Sequence, residues 1–77
     1  MFIHIGNNNT VAEKDIIAII DKKAVDSSEI TKDFIDNLIE DGFLLNSNID
    51  DIKTYIIVCD GLYTSNISST ALYKRSK

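Results

Sequence analysis

Few side chains in this sequence could act as an acid, a base, a nucleophile or a soft metal ligand: one histidine, His4, and one cysteine, Cys59. A Cys and His pair can work as nucleophile and base. Nothing in the sequence around Cys59 supplies the cation or helix N-terminus that would lower its pKa, so it reads as a small hydrophobe ending an apolar strand. His4 sits in a strand pattern beside Phe2, where a structural histidine is the simpler expectation. The two together fall short of the four ligands a structural zinc needs. Asp50-Asp51, with Asp60, offers oxygen ligands for a divalent cation, but the central glycine and closing glutamate of a calcium loop are missing, and a solvated acidic loop is the stronger reading. No phosphate-cradling or nucleophile-elbow motif occurs. The sequence calls for no catalysis, metal or cofactor.

Binding chemistry is better represented. Twelve acids against eight bases give a net charge of −4, the wrong sign for generic attraction to phosphate. The sign is uneven, however: acids concentrate between Asp21 and Asp51, none occurs from Gly61 onward, and Lys74, Arg75 and Lys77 close the chain. Those three, with Lys14 and Lys53, are the candidate DNA contacts. Three cations in one copy are few, but a symmetric oligomer repeats a small patch many times.

The elements that position these residues follow from periodicity. Phe2 to Ile5 alternates like a short strand, Gly6-Asn7-Asn8-Asn9 reads as a hairpin turn, and Thr10 to Ala12 begins the return strand. Asp15 to Asp21 encloses a β-branched run that does not alternate, and Tyr55 to Cys59 has the same character; such runs imply strands covered on both faces. One helix is expected over about 27–41, with Asp26 or a following serine as cap, Glu29 three residues after Asp26, and Gly42 as stop. At 100° per residue Glu29, Asp33, Asp36 and Glu40 share one stripe, opposite a wide apolar arc of Ile30, Phe34, Ile35, Leu38 and Ile39. A polar loop from Asn46 to Lys53 leads to the Tyr55 strand, a turn at Asp60-Gly61, a strand from Leu62, and a short helix capped by Ser68 or Ser69, with Lys74 and Arg75 in its last turn.

This order predicts a single α+β domain over residues 1–77: a small, largely antiparallel sheet with one long helix and a short C-terminal helix. At 77 residues a chain buries only about 60% of its unfolded surface. With no disulfide and no zinc set, oligomerisation is the remaining route to stability. One helix covers one sheet face, so the other is expected to be an association surface, with Phe2, Ile17, Ile19, Ile35, Ile39, Tyr55 and Ile57 as its candidates. No export signal or membrane span is visible, which places the chain in the cytoplasm and leaves the triplets Asn8-Asn9-Thr10 and Asn66-Ile67-Ser68 without a role as glycosylation sites.

Four segments carry a family resemblance: Phe2-Ile3-His4-Ile5-Gly6; Asp15-Ile16-Ile17-Ala18-Ile19-Ile20-Asp21; Lys53-Thr54-Tyr55-Ile56-Ile57-Val58; and Leu62 through Arg75 with its Ser68-Ser69 pair. Together they resemble the bacterial extracellular matrix regulators, the RemA/RemB family, and within it the RemB-like branch. The resemblance implies a small Gram-positive bacterial protein tied to transcriptional control of biofilm matrix genes, and a ring-like homo-oligomer, since the RemA-like sister branch forms rings that carry DNA on their periphery. Its arginines align with Asp15, Asp51 and Ile52 here. An arginine offers phosphate a charge-assisted hydrogen bond and an aspartate repels it, so those DNA-binding roles do not transfer. The partners expected are further copies of the chain, with double-stranded DNA on one reading and a regulatory protein on the other.

Overall fold

The computed structural model describes residues 1–6, 9–46 and 51–75. Strands β1 (Phe2–Gly6) and β2 (Asn9–Ala12) form an antiparallel pair. The hairpin turn expected at Asn7 and Asn8, and the loop at 47–50 with Asp50, lie outside the described residues. A 3-10 turn, Glu13–Asp15, feeds β3 (Ile16–Asp21). Two helices follow, α1 (Lys22–Asp26) and α2 (Glu29–Glu40), then β4 (Thr54–Val58), β5 (Gly61–Ser65) and α3 (Ser69–Arg75). The second sheet has the order β3-β4-β5, antiparallel throughout.

The α+β class and the antiparallel pairing agree with the sequence, and the helix expected over about 27–41 is α2, but a separate short helix, α1, precedes it where none was expected. Asp26 ends α1, where its carboxylate pairs with Lys22 at 2.8 Å, and so cannot cap α2. That role falls to Ser28, whose hydroxyl accepts from Thr31 N at 3.4 Å. At the other end Gly42 has φ +87°. Gly42 N donates to Ile39 O and Phe43 N to Leu38 O, the paired closure that a left-handed glycine permits. α3 is capped as expected, Ala71 N donating to Ser68 Oγ.

The sequence reading placed all strands in one sheet with a single face covered, and this is corrected by the presence of two layers. On one side of the three-stranded sheet, Ile56 and Val58 pack with Ile3, Ile5 and Val11 from the β1–β2 hairpin and with Leu72 from α3. On the other, Tyr55 and Leu62 pack with Val25 of α1 and Ile35 of α2. Both faces of β4 are therefore covered within one chain, as its unbroken apolar run requires. The alternating β1 pattern is that of a lid, Ile3 and Ile5 inward and Phe2 and His4 outward. Ile35 and Tyr55, expected at an interface between copies, belong to the core for this reason. Ile19 and Ile57 are half-buried against it, whereas Phe2, Ile39 and Ile17 remain exposed. A register shift between Ile16 and Ala18 turns Ile17 outward.

Buried hydroxyls tie the layers together. Ser65 Oγ donates to Ile5 O at 2.7 Å and accepts from Ile67 N at 3.0 Å. Thr54 Oγ1 donates to Ile67 O at 2.8 Å. Outside the sheet edge at β5, Asn46 is buried with its amide turned to Thr64: Nδ2 donates to Thr64 O at 2.8 Å and Oδ1 accepts from Thr64 N at 3.1 Å. The side chain thus replaces one residue of a missing strand, and such full pairing is what makes its burial tolerable.

Candidate nucleic-acid interface

The antiparallel pairing of β3 with β4 sets Asp21 opposite Thr54, which brings the residues just beyond these strand ends side by side. Lys22 N donates to Lys53 O at 2.9 Å, and Lys53 N donates to Ser65 O at 2.8 Å. Around this junction lies a depression of about 440 Å³, lined by Lys22, Lys23, Lys53, Asp21, Asp26, Ile52 and the hydroxyl residues Ser68, Ser69 and Thr70. Asp26 holds Lys22 in an ion pair, and its hydrogen bond and charge raise the lysine pKa above the ordinary value. Lys23 and Lys53 are exposed and form no ion pair among the described residues. The lining carries three lysines against two aspartates, a small positive excess in an acidic protein.

The other candidate cations are dispersed. Lys14 is exposed in the 3-10 turn at the far end of β3 from Lys53, roughly 17 Å away by the rise of a strand. Lys74 is exposed at the end of α3, and Lys77 lies outside the described residues. Arg75 is occupied within the fold: its Nη1 donates to His4 O at 2.6 Å and pins the end of α3 to β1. Of the four candidate cations among the described residues, Lys53 is the one that lines this depression. Lys22 and Lys23 were missed as candidates. The signal for them was available, since two antiparallel apolar runs ending at Asp21 and starting at Thr54 must bring Lys22-Lys23 up to Lys53.

The residues considered for other chemistry stay apart. His4 is on the outer face of β1, and Cys59 is exposed, not closing a strand as expected, because the tight turn between β4 and β5 is Cys59-Asp60 and not Asp60-Gly61. Its thiol donates to Asp15 O at 3.7 Å. The cleft that Cys59 lines includes Phe2, Asp15 and Asp60 but not His4. Among the described residues no three His, Cys, Asp or Glu side chains gather as a metal site, and no helix is long and apolar enough to cross a membrane.

A family model described as extracellular matrix regulatory protein A-like (RemA-like) matches residues 2–75. The chain belongs to the RemA-like family. No curated protein matches it. Among RemA-like proteins the description is that of a regulator of the extracellular matrix type, and the three positions singled out by the resemblance have clear surroundings here. Asp15 is exposed beside the Cys59 turn. Asp51 is exposed with φ 61°, a left-handed conformation that aspartate tolerates better than most residues. Ile52 is half-buried and packs on the core beneath α1 and α2. A residue that roofs this core is an apolar support for the lysine depression it also lines.

Proposed function

We propose that this chain is a self-assembling regulator of the RemB-like branch, cytoplasmic and non-catalytic, that acts on matrix and biofilm genes by holding duplex DNA through its phosphates. The observation that carries the reading is the convergence of Lys22, Lys23 and Lys53 with Ser68, Ser69 and Thr70 on one depression. Lysine acts as a point charge on phosphate, and hydroxyls add hydrogen bonds without sequence preference. One such depression is weak, and a closed homo-oligomer repeats it around its circumference. Assembly is supported by the large apolar side chains that the two-layer core leaves outside, among them Phe2, Ile17, Ile30, Phe34 and Phe43, on a chain of 77 residues.

The test is the binding of promoter duplex to the purified oligomer over a series of salt concentrations. Affinity falls steeply with salt, and each lysine removed in Lys23→Ala and Lys53→Ala lowers the salt slope by roughly one per contact, whereas Arg75→Ala leaves that slope unchanged. A second reading has a specific observation in its favour: Asp15 and Asp51 are exposed acids where the sister branch carries arginines. On that reading the oligomer is an interaction module that engages a protein partner through the acidic face of α2. Absence of DNA binding at low salt, with the oligomer intact, selects it.

A further inference from the structure

We propose that the lysine depression also takes a small phosphate monoester carrying neighbouring hydroxyls, the chemistry that sugar phosphates and mononucleotides share. Such a ligand competes there with duplex phosphate and so regulates the site. The competition rests on the DNA reading above; the ligand site itself does not.

The walls of the depression are fixed to one another by the chain. Lys22 N donates to Lys53 O at 2.9 Å and Lys53 N to Ser65 O at 2.8 Å, so α1 and the start of β4 set out from a common point. Thr54 Oγ1 donates to Ile67 O at 2.8 Å, which holds the stretch leading into Ser68, Ser69 and Thr70 against the same strand end. Three segments distant in sequence thus enclose a space of about 440 Å³, within the roughly 300–1,000 Å³ of small-molecule sites. A rod-like duplex reaches the rim of such a hollow, whereas a small ester can enter it.

The mixture of groups in the lining selects the ligand. Lys23 and Lys53 are exposed and form no ion pair among the described residues, and the hydroxyls of Ser69 and Thr70 are donors for phosphate oxygens. A lining for phosphate alone has no use for a carboxylate, yet Asp21 is part of it. Asp21 pairs with Thr54 across the ladder, one strand spacing of about 5 Å, and so stands beside Lys53. It occupies the N-cap position of α1, but its side chain makes no capping hydrogen bond, and it forms no ion pair among the described residues. A carboxylate only accepts, and its two oxygens suit two adjacent hydroxyls. Asp26 is less available, since Lys22 holds it at 2.8 Å. Half-buried Ile52 adds an apolar wall for the carbon skeleton.

The test titrates ribose-5-phosphate, adenosine monophosphate and inorganic phosphate in turn into the full chain at constant ionic strength. Amide chemical shifts are the readout and circular dichroism the check on folding. Shifts are expected at Lys23, Lys53 and Ser69, with the esters binding about tenfold more tightly than inorganic phosphate, the scale of one charge-assisted hydrogen bond. Equal binding of the two esters identifies the phosphorylated sugar as the unit recognised, and a preference for adenosine monophosphate identifies a nucleotide. Lys53→Ala weakens all three ligands by about tenfold. Asp21→Asn separates the proposal from simple anion attraction: ribose-5-phosphate binds more weakly, while inorganic phosphate, relieved of a negative neighbour, binds more tightly. A gain for both, or inorganic phosphate binding wild type as tightly as the esters do, overturns the ester site. In a second arm, ribose-5-phosphate at a saturating concentration displaces promoter duplex, and unaltered duplex binding overturns the competition. Duplex binding with no shifts from any of the three phosphates overturns the ligand site and leaves the DNA reading standing. Shifts with no duplex binding at low salt do the reverse.

Discussion

The two edges of the β3-β4-β5 sheet are finished in different ways. At β5 the chain closes its own edge with backbone: Leu62 N donates to Phe43 O and Leu45 N to Leu62 O, and the Asn46 amide then pairs with both backbone groups of Thr64. At β3 a single side chain reaches the strand backbone, Tyr73 Oη donating to Ile19 O at 3.2 Å. One edge is sealed by groups that are buried and costly to remove. The other is guarded by a register shift and exposed side chains, the lighter devices that keep an edge from indiscriminate pairing.

The largest effect is expected on the sealed side. Asn46→Ala strands the buried N–H and C=O of Thr64, and at about 1–3 kcal/mol for each unsatisfied group the loss is about 3 kcal/mol, read from urea unfolding. A cost below about 1 kcal/mol would mean that water satisfies Thr64 and that the edge is not closed. Gly61→Ala comes next: an added Cβ would lie 2.2 Å from Phe43 O, and Gly61 has φ +152°. The 43–45 segment must shift, costing about 2 kcal/mol, and amide exchange at Leu62 and Leu45 should accelerate with it. On the guarded side Tyr73→Phe removes one exposed hydrogen bond and is expected to cost at most about 1 kcal/mol.

The smallest effect is a matter of pH. Tyr55 joins the two edges, paired with Ile20 on one side and Thr64 on the other, and burial raises its phenol pKa above the ordinary 10.0. A group whose folded pKa is raised contributes stability that is complete below the unfolded pKa and is lost as pH rises through the folded one. The melting temperature should therefore hold through neutrality and decline above about pH 10, the unfolded tyrosine value. Tyr55→Phe should flatten that decline in part, leaving the share due to Lys22, whose raised pKa acts in the same direction. An unchanged alkaline slope in the variant would remove Tyr55 as its source.

Much of this architecture was legible in the residues. The runs around Ile16–Ile20 and Tyr55–Val58 announced strands with two dry faces, Gly42 the end of a helix, and Ser68 the start of another. What the pattern did not announce was the identity of the second cover. Alternation in β1 shows that one face is wet but is silent on whether that strand extends the main sheet or lies across it, and here it lies across it. That one ambiguity moved Ile35 and Tyr55 from core to surface in the sequence reading. The cation site was misjudged for a related reason: charge was read along the chain, where Lys74, Arg75 and Lys77 cluster, while the fold gathers Lys22, Lys23 and Lys53 from two strand ends and spends Arg75 on a carbonyl.

Greasy surfaces pressed together resist separation far more than they resist sliding, because contact area changes little with a small lateral step. The Ser65 hydroxyl, holding Ile5 O and Ile67 N at once, gives the hairpin lid one permitted position on the layer beneath. Without that latch the same lid could drift by a fraction of a residue. Phe2 and Arg75, borne by the elements it aligns, would then lose their fixed bearing on the sheet.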